Sequence, residues 1–121
     1  MDTGQKLSQF EDRVRREAAI IFPEASLAVV ERRKYLLKVR IGLGEKTLID
    51  IFYNPKNDRT DFALIHDDQR IFGYDNLGGW HRHPAEDPKG HVPCDEPSLE
   101  QVLQEIKSLV SIPTENSNDQ S

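Results

Sequence analysis

Apolar positions along the chain set its outline. Leu7, Phe10, Val14, Ala18 and Ile21 recur at three- and four-residue steps, the period of one helix face, and predict a helix over 6–22 that stops at Pro23. The period then changes to two. Tyr35, Leu37, Val39 and Ile41 alternate with Leu36, Lys38, Arg40 and Gly42, as a strand with one wet face requires. Residues 27–30 either open that strand or form a short one before it, with 31–34 as a bend. A turn at Gly42-Leu43-Gly44-Glu45 leads to a second alternation, Thr47, Ile49, Ile51, Tyr53. Residues 54–58 are dense in turn formers, 60–66 make a third strand, Asp67-Asp68 turns the chain, and 70–74 make a fourth. Near the other end, Leu99, Val102, Leu103, Ile106, Leu109 and Val110 form a second helical stripe. Pro97 suits its first position and Pro113 its end.

Short turns between successive strands favour antiparallel neighbours, because parallel ones need a long crossover. The fold class expected is therefore α+β: a four-stranded antiparallel β-meander with an N-terminal and a C-terminal helix packed on one face, in the order α-β-β-β-β-α. The other face is left to solvent or to a partner. One domain is expected over 1–112. Residues 113–121 have nothing apolar to bury and read as a disordered tail.

Composition narrows the setting. The chain has 121 residues, 36% hydrophobic and 31% charged, in keeping with a polar globular domain, and a mean hydropathy of −0.65. No apolar run approaches the roughly 20 residues that span a bilayer, and no signal-peptide core follows Met1. A single cysteine, Cys94, excludes an internal disulfide. These features predict a cytoplasmic protein with no membrane contact. The net charge of −5 is uneven: residues 1–60 carry 12 Lys/Arg against 9 Asp/Glu, and residues 61–121 carry 4 against 12. Phosphate affinity comes largely from Lys and Arg. The acidic whole therefore argues against indiscriminate polyanion binding, while Arg13, Arg15, Arg16 and the run Arg32 to Arg40 leave room for a local basic face.

Candidate chemistry concentrates in the stretch from Gly73 to Glu96, which holds three of the four histidines, the only tryptophan and the only cysteine. Imidazole titrates near neutral pH, so His81, His83 and His91 are candidates for general acid and base. Arg82 and Lys89 are candidates to hold a phosphate, and Trp80 to stack on substrate or to cap the core. Tyr74, Asp75 and Asn76 leave the fourth strand just before the histidines and could position them. Such a set suits RNA cleavage, in which the 2′-hydroxyl is the internal nucleophile. On this reading His81 and His83 sit in a loop, and replacing both should leave the unfolding midpoint nearly unchanged. His66, at a strand–turn boundary, reads as structural. Zinc could use His81, His83, His91 and Cys94, but with no Cys-x-x-Cys pair the spacing matches no strong zinc signature. No metal ligand is assigned and no cofactor is expected.

Tyr74-Asp75-Asn76 leaving a strand, then His81, His83 and His91, then Pro97 and the helix Ser98 to Ile106, resembles the TumE-type toxins of toxin–antitoxin systems. The likeness is close over about the last half of the chain. It implies a small growth-blocking cytosolic toxin and a cognate antitoxin, typically a helix-turn-helix protein encoded next door. By analogy it implies action on RNA or on the ribosome; self-association as a homodimer stays open. Two other readings stand beside it: a noncatalytic protein-binding module that docks a partner through its sheet, and a zinc-stabilised small domain.

Overall fold

The computed structural model describes residues 1–119, with side chains through residue 110. Helix α1 (Thr3–Ile21) is followed by strands β1 (Ser26–Arg32), β2 (Leu37–Gly44), β3 (Thr47–Asn54), β4 (Arg59–His66), β5 (Gln69–Asp75), β6 (His81–His83) and β7 (Val92–Pro93), and then by helix α2 (Leu99–Asp119). The seven strands form one antiparallel sheet in sequence order.

The expected plan of two helices and an antiparallel meander is present, but the sheet has seven strands rather than four. Residues 26–32 do not run on into β2. They fold back on it through a tight turn in which Arg33 N–H donates to Leu36 O at 2.9 Å. The register slips between Val29 and Glu31, where a bulge blunts this edge strand. The other two additions, β6 and β7, come from the segment expected to be loop. They are three and two residues long, too short for their alternation to stand out in sequence.

Both helices cover the same face. The α1 stripe Leu7, Phe10, Val14, Ala18 and Ile21 and the α2 residues Leu99, Val102, Leu103 and Ile106 are buried against Leu37, Val39, Ile41, Ile49, Ile51, Phe62, Leu64 and Phe72. Each fully buried Leu or Ile there contributes about 1.5–3 kcal/mol. Capping is reciprocal at both helix starts. Asp2 accepts from Gln5 N–H at 2.8 Å while the Gln5 side chain accepts from Asp2 N–H at 3.0 Å. Ser98 and Gln101 repeat the arrangement at 3.0 and 2.8 Å. Ser98 thus caps α2, and Pro97 lies before the cap rather than in the first turn. The helix is assigned through Asp119, beyond Pro113, where the sequence predicted its end. A proline inside a helix costs the bond its nitrogen would have donated. The side chains of the tail expected over 113–121 lie outside the described residues, as do residues 120 and 121 altogether.

Several of the early basic residues are engaged in local pairs. Arg15 and Arg32 both reach Glu11, and Arg40 makes a two-pronged bond to Asp50, its register partner on the outer face, at 2.9 and 3.2 Å. His66, read as structural, is exposed, and its Nδ1 lies 2.8 Å from Thr47 Oγ1 across the β3–β4 pair.

Candidate active site

Strand β6 places the candidate residues by simple alternation. Its three residues pair with the end of β5 as His81 with Asp75, Arg82 with Tyr74 and His83 with Gly73. Side chains alternate across a strand, so His81, His83 and Asp75 face outward and Arg82 and Tyr74 face the helices. The chain reaches β6 through Gly78 and Gly79 at φ 71° and 116°, a backbone conformation that favours glycine. Asn76 fixes the end of β5: its Oδ1 accepts from Thr60 N–H at 2.9 Å and its Nδ2 donates to Asp58 O at 2.7 Å. Gly73, opposite His83, has no room for a Cβ, which would lie 2.4 Å from Phe62 O.

On the outer face His83 Nε2 lies 2.5 Å from Asp75 Oδ2, and Asp75 Oδ1 accepts from Leu77 N–H at 3.1 Å. Burial would raise the Asp75 carboxyl. The hydrogen bonds from His83 and Leu77, with the charges of His83 and Arg70, outweigh it and hold the group below its ordinary value. Asp75 is therefore ionised and accepts, and His83 carries its proton on Nε2. In the neutral form of the ring Nδ1 is then the nitrogen with the lone pair. It is buried and has no hydrogen-bond partner among the described residues. The His91 ring stands edge-on to His83, centroids 4.6 Å apart, and His81 lies 5.7 Å from His91. The structure thus brings the three predicted histidines together.

Between β5 and the 84–91 loop an open cleft of about 590 Å³ is lined by Gln69, Arg70, Asp75, His83, Pro88, Lys89 and His91. Lys89, one of the two residues expected to hold a phosphate, lines this cleft. Arg70 and its neighbour Asp61 are additions from the strands. Their charged groups are 3.6 Å apart, and Asp61 is the register partner of Asp75. Burial raises the Asp61 carboxyl, and the nearby Asp75 charge adds to this against the opposing pull of Arg70, Arg59 and His83.

Two candidates lie elsewhere. Trp80 packs against the core. Arg82 is across the sheet from the histidines, its Nε donating to Glu105 Oε2 at 3.0 Å and its guanidinium 5.1 Å from the Phe72 ring centre. Tyr74 OH donates to the other oxygen, Glu105 Oε1, at 2.6 Å. Burial and then this carboxylate push the Tyr74 hydroxyl up to about 12. The bond to Glu105 likewise raises Arg82. Glu105 carried no signal in the sequence, since it lies 31 residues from Tyr74 and 23 from Arg82 on a helix face otherwise read as solvated. The expectation that a His81, His83 double replacement leaves stability untouched does not suit this geometry. His83 is 2% exposed, and removing its ring strips Asp75 of its partner. Cys94 is a free thiol whose pKa is raised first by burial, the wrong direction for a nucleophile. No group of three or more metal-ligand side chains is gathered among the described residues, and no helix among them is long and apolar enough to cross a membrane.

These observations define a small α+β domain with a His–Asp pair in a cation-lined cleft on the helix-free face of its sheet. The family model for toxin TumE matches residues 10–110, and the chain belongs to that toxin family. No curated protein and no solved structure matches it.

Proposed function

We propose that the chain is the toxin of a toxin–antitoxin pair and that it arrests growth by cleaving RNA at the His83–Asp75 site. The observation that carries this reading is the 2.5 Å contact of His83 Nε2 with an ionised Asp75, with Nδ1 of the same ring left without a partner among the described residues beside a cleft bearing Arg70 and Lys89. With the His91 ring swung aside, Nδ1 takes the proton of a ribose 2′-hydroxyl. That oxygen attacks the adjacent phosphorus, the bond from phosphorus to the 5′-oxygen breaks, and protonated His91 supplies the leaving oxygen with its proton. The products are a 2′,3′-cyclic phosphate and a free 5′-hydroxyl, with no further reactant consumed. Arg70 and Lys89 offset charge building on the phosphoryl oxygens. Asp75 orients the ring and stabilises it once protonated. The cognate antitoxin, expected as a helix-turn-helix protein encoded alongside, would relieve the arrest.

The test is to induce the protein in a bacterial host, with and without the neighbouring gene, and to follow growth and total RNA. Arrest with RNA carrying cyclic-phosphate ends, lost in His83→Ala and His91→Ala, supports the reading. Arrest with intact RNA would overturn cleavage and turn attention to a toxin that acts by docking on a protein.

A further inference from the structure

We infer that Glu105, on the opposite side of the sheet from the histidines, is a positioning residue for the His83–Asp75 pair; its relevance to activity rests on the proposed function above. The geometry is specific. Tyr74 and Arg82 are register partners on β5 and β6, and each immediately precedes one member of the pair, Asp75 or His83. One carboxylate holds both: Oε1 accepts from Tyr74 and Oε2 from Arg82. Strand β6 is three residues long and makes only three rungs with β5 and two with β7, so its own ladder is a weak hold on its position. Glu105 adds an anchor from α2, whose neighbouring residue Ile106 is fully buried in the core. The rung it clamps lies between the rungs that carry Asp75 with His81 and Gly73 with His83. A shift of β6 along β5 therefore moves His83 Nε2 relative to Asp75 Oδ2. A 2.5 Å contact tolerates little of that, since hydrogen bonds weaken steeply as distance and angle depart from their optimum.

No contact joins Glu105 to the histidines, so the effect must pass through the backbone of two adjacent strands. This separates a positioning role from a purely stabilising one. Val102, a fully buried core residue on the same helix, contributes stability but has no polar group with which to bond Tyr74 or Arg82.

The experiment uses the full chain labelled with nitrogen-15 and reads the imidazole of His83 by long-range proton–nitrogen correlation, alongside thermal unfolding and the growth assay. The wild type is expected to show one His83 tautomer, protonated on Nε2, with that proton protected from exchange. Glu105→Ala is expected to lose the protected proton and to weaken growth arrest by about tenfold or more. Val102→Ala is the control for lost stability and should keep the His83 signal of the wild type. Glu105→Gln retains an acceptor for one of the two donors and should restore part of the signal; it also carries the test should the alanine variant not fold. An unchanged His83 tautomer and exchange in folded Glu105→Ala or Glu105→Gln, or the same loss in Val102→Ala, would overturn the inference. The spectroscopic result stands whether or not RNA proves to be the substrate, so the two failures are distinguishable.

Discussion

The two faces of the sheet carry polar clusters built on the same two strands, and they are finished differently. On the helix side, Tyr74, Arg82 and Glu105 form a closed set in which both carboxylate oxygens accept bonds. On the outer side, Asp75 and His83 are equally close, yet His83 Nδ1 is buried without a partner among the described residues, as is Nε of Arg59 on the neighbouring strand. A buried polar atom left unmatched costs about 1–3 kcal/mol. A structural cluster has every reason to avoid that cost, and a site that must receive a substrate atom does not. On the proposed function, the closed cluster is scaffold and the unfinished one is the reacting site, although the two are separated only by the pleat of one strand.

The sharpest way to break that contrast is functional. His91→Ala should lower RNA cleavage by 100-fold or more, the usual scale of a lost acid or base. Its side chain is exposed, so the unfolding midpoint should move by no more than ~2 °C. A comparable loss of midpoint would place His91 with the scaffold instead. On the opposite face the balance should reverse. Glu105→Ala strands the buried Tyr74 and the half-buried Arg82, and with about a third of the ion pair open to solvent the cost should be about 2 kcal/mol, or ~8 °C, by calorimetry.

Two carboxyls sharpen the comparison through pH. Asp75 sits below its ordinary value when folded. Its contribution is therefore present above the unfolded carboxyl pKa, about 3.9, and is lost as pH falls through the lower folded value. Asp61 is shifted upward. Its contribution is complete below about 3.9 and fades as pH rises through the folded value. In unfolding midpoints measured from pH 2 to 7, Asp75→Asn should flatten the acid limb. Asp61→Asn, the smallest effect, should raise the midpoint at pH 7 by ~2 °C; a lower midpoint would mean that its ion pair with Arg70 outweighs its burial.

What could be read from the sequence followed the length of each signal. The α1 stripe from Leu7 to Ile21 repeats over about four turns, and each of its five apolar positions is buried. Val39, Ile41, Ile49 and Ile51 likewise mark inward faces of strands eight residues long. His81-Arg82-His83 offers one period and no apolar residue, so β6 looked like loop, and Arg82 seemed to belong with its neighbours when a strand turns it away from them. Asp75 could be named as an orienting group because it lies eight residues from His83. Glu105, Asp61 and Arg70 could not, because only the register of the sheet brings them into place. The TumE resemblance was carried by residues spaced along the chain, and it survived that uncertainty over faces.

The brevity of β6 has a consequence for inheritance. Insert one codon between Gly79 and Trp80 and, if β6 re-forms on β5 in its present frame, every side chain on it changes sides. The histidines would go under the helices and the guanidinium of Arg82 out over the cleft, with no codon of the candidate site altered. Spontaneous escapees selected for surviving this toxin should therefore include single-codon insertions and deletions across residues 76–80, a stretch in which a search for altered histidine codons alone would find nothing.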